Sequence, residues 1–131
     1  MKQTPLNLKP RFKLWLSMPE AEGVFGDGKW RLLKAIDKEK SLSSAARILG
    51  ISYRKAWGDL QKAEKYLGVS LIEKQRGGKA GGGTSLTAEG KKWLCAYTRF
   101  RSEIEKTVKS AYTEQFECGA RNAERGRRKK K

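Results

Sequence analysis

Apolar positions in residues 41–67 recur at intervals of three and four, and one glycine divides the run. Ala45, Ala46 and Leu49 form the inner face of a short helix. Ala56, Leu60 and Ala63 continue that face on a second helix, predicted over Tyr53–Leu67 and ended by Gly68. Ser43 is placed to cap the first helix and Ser52 the second, since a serine oxygen accepts an orphan N–H of a first turn. Gly50 supplies the backbone freedom needed just past a helix end. Small residues at Ala46 and Ala56 let two helices joined by so short a turn come close. The pattern is that of a helix-turn-helix, with Tyr53, Arg54 and Lys55 at the exposed start of the second helix, where the motif faces the major groove of DNA. An ordinary pair of packed helices has the same periodicity.

The flanking segments carry other periods. Residues 11–17 alternate, with Phe12, Leu14 and Leu16 on one face of a strand and Lys13, Trp15 and Ser17 on the other. Val24 and Phe25 supply a short partner strand across a turn. Trp15, on the polar face, is suited to lie under a long C-terminal helix or to meet a second subunit. Asp27 is placed to cap a helix running to about Lys40, with Trp30, Leu33 and Ile36 as its stripe and Leu32 and Ala35 widening it. Beyond Gly68, two short strands flank the glycine-rich run Gly77–Gly83, with Leu71 and Leu86 as anchors, which describes a β-hairpin wing. A plain flexible connector is the simpler reading of the glycines alone.

Thr87 begins a helix predicted to reach about Glu117, a span of about 45 Å. Trp93, Tyr97, Phe100, Ile104, Val108 and Ala111 line one narrow seam of it. Such a helix either lies along its own chain's hairpin or pairs with a second copy. The expected dimer interface is Trp15, Trp93, Tyr97, Phe100, Ile104 and Val108. The expected fold is mainly α with small β-hairpins (α+β), a winged helix-turn-helix with a long C-terminal dimerisation helix. It occupies residues 11–117, between a flexible basic arm (1–10) and a disordered basic tail (118–131).

Charge sharpens the partner. Lys and Arg number 30 against 14 Asp and Glu, a formal net charge of +16 across 131 residues, which favours a polyanion such as nucleic acid. The absence of histidine removes the commonest general base and metal ligand near neutral pH. Cys95 and Cys118 are far apart and form no CxxC pair, so neither a metal site nor a disulfide is expected. With no cofactor motif either, an enzyme is disfavoured. No apolar run approaches about 18 residues and no signal-peptide core is present, so a soluble, cytoplasmic protein with no membrane association is expected.

Several segments together resemble a known family. Ser41–Gly50, Ile51-Ser-Tyr-Arg-Lys-Ala-Trp57, and Arg76-Gly-Gly-Lys-Ala-Gly-Gly-Gly83 followed by Leu86-Thr-Ala-Glu-Gly90 resemble the N-terminal DNA-binding domain of the molybdate-responsive ModE regulators. Phe12–Ser17 and Val24–Asp27 look like that family's opening hairpin. The helix-turn-helix alone is shared with LysR-type regulators; its junction with the glycine wing is more specific. The resemblance implies a dimeric winged helix-turn-helix acting in transcription regulation. ModE proteins carry oxyanion-binding domains after the long helix, where this sequence has a basic tail. Molybdate sensing is therefore not carried over, and no small-molecule effector is expected.

The resulting expectation is a homodimer reading a pseudo-palindromic site in double-stranded DNA. Ser52, Tyr53, Arg54 and Lys55 enter the major groove, with Arg54 and Lys55 suited to guanine O6/N7 or to phosphate. Ser44 and Arg47 fix the first motif helix to phosphates. Trp57 is either a phosphate-side residue or part of the core. Arg76 and Lys79 set the wing in or beside the minor groove, with Gly77, Gly78, Gly81, Gly82 and Gly83 allowing close backbone approach. The loop lacks the Gly-Lys-Ser/Thr ending of a nucleotide-binding P-loop. The alternative is a nucleoid-type architectural protein that coats DNA through charge.

Overall fold

The computed structural model describes residues 7–75 and 83–117. The expectations for residues 1–6, for the wing tip at 76–82 and for the tail at 118–131 lie outside the described residues. The described chain divides into two units, Lys13–Arg99 and a second that joins residues 7–12 to 100–117.

The first unit opens with an antiparallel hairpin of β1 (Trp15–Met18) and β2 (Ala21–Gly26), in register at Trp15↔Gly26 and Leu16↔Phe25. The predicted alternation holds, with Leu14 and Leu16 half-buried and Trp15 exposed. The ladder begins only at Trp15, however, and not at residue 11. Past Gly26 the paired strand turns into a helix, so Leu14 exchanges bonds with Asp27 instead. Asp27 N–H donates to the Leu14 carbonyl at 3.0 Å, and Leu14 N–H donates to Asp27 Oδ2 at 3.2 Å.

Helix α1 (Asp27–Glu39) carries the predicted stripe, and Leu32, Leu33, Ala35 and Ile36 are buried. Asp27 does not cap it. Gly26 holds the N-cap position without a side-chain bond, and the Asp27 carboxylate is turned inward instead. Helix α2 (Leu42–Leu49) is capped by Ser41, whose Oγ accepts from Ser44 N–H at 3.1 Å, and not by Ser43 as expected. Leu42 is buried and already helical, which moves the cap two residues back. Gly50 takes the left-handed conformation (φ 70°) that closes α2. Helix α3 (Tyr53–Leu67) then starts under the Ser52 cap, Oγ accepting from Lys55 N–H at 3.0 Å, and ends at Gly68.

Strands β3 (Ile72–Gln75) and β4 (Gly83–Leu86) pair antiparallel from Ile72↔Leu86 to Gln75↔Gly83. Thr87 starts helix α4 (Ala88–Tyr112), its Oγ1 accepting from Gly90 N–H at 2.9 Å and donating to the Ser70 carbonyl at 2.6 Å. A wider π-helical turn, Thr113–Glu117, follows. No helix among the described residues is long and apolar enough to cross a membrane.

One core joins the elements of the first unit: Phe25 of β2, Leu32, Leu33 and Ile36 of α1, Leu42, Ala45 and Ala46 of α2, Ala56, Leu60 and Ala63 of α3, and Leu71 and Leu86 at the wing root. The alanines are at most 2% exposed, so the helix pair closes to the separation that their small size permits. The start of α4 completes this core. Phe25 stacks on Trp93 and on Tyr97, each at 5.1 Å between ring centroids, and Tyr97 is only 2% exposed. This corrects the expectation for Tyr97, which is too buried to face a second subunit, while half-buried Trp93 spends one ring face on Phe25 of its own chain. Within the second unit Phe100 is exposed, Ile104 and Val108 are half-buried, and the Arg101 guanidinium stands 4.4 Å above the Phe12 ring.

Candidate nucleic-acid interface

Burying Ala56 and Leu60 turns the opposite side of the first turn of α3 to solvent. Tyr53, Arg54 and Lys55 are all exposed there. Trp57, one turn on, is 37% exposed and sits on the Tyr53 face; it is a surface residue and not part of the core. Arg54 has no hydrogen bond or ion pair to any described residue, whereas Lys55 pairs with Asp59 at 3.2 Å. The two adjacent cations therefore differ: Arg54 is available, and Lys55 must first give up a carboxylate. Ser52 spends its oxygen on the cap, leaving its O–H as the group it can offer outward. Ser44 is half-buried beside its own cap, and Arg47 is exposed on α2.

Basic residues continue along the side of α3. Lys62 Nζ donates to the Glu22 carbonyl at 2.9 Å, and Lys29 Nζ donates to the Gly23 carbonyl at 3.0 Å, so both hold the first hairpin. Burial pushes the Lys29 ammonium below its ordinary pKa of 10.5; Asp59 acts in the opposite direction, while Lys62 and Lys55 add to the depression. Asp59 is thus an acid set among three lysines.

The wing is fixed at its root. The Glu64 carboxylate accepts from Leu71 N–H at 2.7 Å and Ile72 N–H at 3.3 Å, seating the start of β3 on α3. Thr84 N–H donates to the Lys40 carbonyl at 3.0 Å, seating β4 on the end of α1. A Cβ on Gly83 would stand 2.6 Å from that same carbonyl oxygen. Gly83, expected to approach DNA, therefore serves the seating of β4. Arg76, Gly77, Gly78, Lys79, Gly81 and Gly82 fall outside the described residues.

Lys74 was not anticipated. It shares strand parity with Ile72, so its side chain leans toward α3. Its Nζ donates to Tyr53 Oη at 3.1 Å and stands 5.1 Å from the Trp57 ring centroid. The identity of its neighbours depends on how the wing sits. Glu64 was missed, and Asp27 was given a different role, for the same kind of reason: their partners are set by a neighbouring element, whereas the Ser41 cap is local and was placed two residues away, at Ser43.

Two helices joined through left-handed Gly50, backed by α1 and followed by a β-ribbon, define a winged helix-turn-helix. Residues 28–91 match the family described as "Bacterial regulatory helix-turn-helix protein, lysR family", so this part of the chain is similar to the helix-turn-helix domain of that family. Its named relatives are of the ModE and MopB kind. It is 39% identical over 79 residues to "Molybdenum-pterin-binding protein MopB" of Rhodobacter capsulatus, covering 60% of this chain and 29% of that protein. It is 34% identical over 101 residues to "Transcriptional regulator ModE" of Haemophilus influenzae, covering 76% of this chain and 38% of that protein. The chain thus spans between 29% and 38% of the length of these relatives. The fold is similar to that in "Crystal structure of CbnR_DBD-DNA complex", with a TM-score of 0.55 at 23% identity, over 66% of this chain and 94% of that one.

Proposed function

We propose that this chain is a sequence-specific, DNA-binding transcriptional regulator that acts as a homodimer and lays α3 in the major groove. The observation that carries the reading is the open first turn of α3, which presents the Arg54 guanidinium, unpaired among the described residues, between exposed Tyr53 and Lys55, on a helix-turn-helix that matches the LysR-family model. Arg54 is the residue for guanine O6/N7, where a planar fork can donate twice. Lys55 is the weaker candidate because of Asp59. Arg47 on α2 and the basic wing residues Arg76 and Lys79 supply phosphate contacts, and the net charge of +16 supports their affinity. ModE of Haemophilus influenzae is named a transcriptional regulator, and CbnR was crystallised with DNA, which supports the same partner here. Exposed Trp15 and Phe100 support self-association.

Selection of duplexes from a randomised pool, followed by competition with random DNA, tests this reading. Specific binding survives an excess of random DNA of about 10³-fold or more. Equal competition by any sequence would establish the architectural alternative instead. Arg54→Ala is expected to relax sequence preference, and a footprint of unchanged selectivity removes that assignment. Light scattering checks the dimer; a monomer of about 15 kDa at high concentration counts against it.

A further inference from the structure

The DNA-reading surface proposed above includes the first turn of α3 and Arg47 of α2. The structure places a further cation beside that turn, on β3. Lys74 of β3 stands over two aromatic side chains of α3, Tyr53 and Trp57, at 5.9 Å and 5.1 Å from their ring centroids, and bonds the Tyr53 hydroxyl. All three residues are exposed, and no carboxylate among the described residues pairs with Lys74. The other cation on this edge that bonds an α3 side chain, Lys55, is neutralised by Asp59.

Donor chemistry then decides the orientation of Tyr53. A lysine ammonium has three donors and no acceptor, so in the 3.1 Å contact the Tyr53 oxygen must accept. The phenol proton is left to point away from Lys74, toward solvent. Tyr53 is therefore held as an outward donor, and its partners on DNA are acceptors: purine N7, guanine O6, thymine O4 or a phosphate oxygen. Lys74 has two further N–H groups and an unneutralised charge, which suits a phosphate at the groove edge.

We infer that Lys74 is a DNA-phosphate contact that also positions Tyr53 as a hydrogen-bond donor to a base edge in the major groove, coupling the wing root to α3. This rests on the DNA-binding reading above. The inference separates Lys74 from the wing-tip cations, because it serves affinity through charge and specificity through its neighbour.

The test compares Lys74→Gln, Lys74→Arg and Tyr53→Phe with the wild type on two probes, a duplex recovered from a randomised pool by the wild type and a scrambled duplex of the same composition. Lys74→Gln keeps a donor for Tyr53 and loses the charge. It is expected to weaken binding of both probes by the same factor and to reduce the slope of log affinity against log salt by about 0.9, one released counterion. Lys74→Arg restores the slope. Tyr53→Phe leaves the slope unchanged and loses about fivefold or more on the recovered duplex, with little change on the scrambled one. In a Lys74→Ala background, where the positioning contact is gone, the Tyr53→Phe loss shrinks. An unchanged salt slope in Lys74→Gln, or a Tyr53→Phe loss equal on both probes, overturns the inference. Thermal melts matching the wild type exclude misfolding as the cause. Failure of the wild type itself to bind either duplex is a different result and removes the DNA-binding reading.

Discussion

The Tyr97 hydroxyl donates to Asp27 Oδ1 at 2.8 Å in the interior, joining residues 70 positions apart. Tyr97 Oη also lies 2.9 Å from the Leu14 carbonyl oxygen, and Asp27 Oδ2 accepts from Leu14 N–H. The residue before the first strand, the start of α1 and the first half of α4 thus meet at one buried carboxylate. A carboxylate removed from water needs such donors, since burying one without them is costly.

Tyr97→Phe removes the hydroxyl and keeps the ring stacked on Phe25. The expected loss is about 1.5–3 kcal/mol, the range for a hydrogen bond to a charged group. Urea denaturation reads it as a lower midpoint at unchanged slope. A loss below a few tenths of a kcal/mol, on the same scale of hydrogen-bond strengths, would show that water replaces the phenol.

Glu64→Ala strands the Leu71 and Ile72 N–H groups at the wing root. Unfolding is expected to become easier by about 1–3 kcal/mol, with Glu64→Gln, which keeps an acceptor oxygen, losing less. Amide hydrogen exchange provides the local reading: protection of residues 71–75 falls more than protection of α1.

Asp59→Asn frees Lys55 from its ion pair. Stability should move by less than about 0.5 kcal/mol, because the pair is an i,i+4 surface contact. DNA affinity should rise at low salt, and the gain should fade as salt is added. Weaker DNA binding in this variant would instead mean that Asp59 holds Lys55 in its working orientation.

Lys29 gives stability a pH dependence of definite sign. Burial lowers its pKa in the folded chain below 10.5, so the charged form is disfavoured on folding. The penalty is present in full at neutral pH. As pH rises through the folded value, the folded chain releases the proton first, and the penalty disappears by the time the unfolded lysine titrates. The stability of the wild type minus that of Lys29→Met should therefore rise through the alkaline range up to about 10.5 and then level off. A difference that stays flat or falls over that range removes the buried-ammonium account.

What could be read from the residues in order was whatever is decided within a few turns of chain. The Ser52 cap, the left-handed glycines at 50 and 68, the span of α3 and the inward alanines all follow from local backbone chemistry and the 3.6-residue period. The resemblance carried by Ile51–Trp57 and the wing agrees with the ModE and MopB relatives. Periodicity also marked Trp93 and Tyr97 as apolar-face residues, but a period states which face is buried and not against what. Packing chose Phe25 of the same chain. Asp27 reads as a cap from sequence because acids favour first turns; only the approach of Leu14 and Tyr97 converts it into a buried junction. Lys74 and Gly83 likewise acquire their roles from the seating of the wing on α3 and on the Lys40 carbonyl. Local propensity determined the elements and the limits of α3, while contacts between residues up to 83 positions apart, formed only when the chain closes, decided what each face and each charge is for.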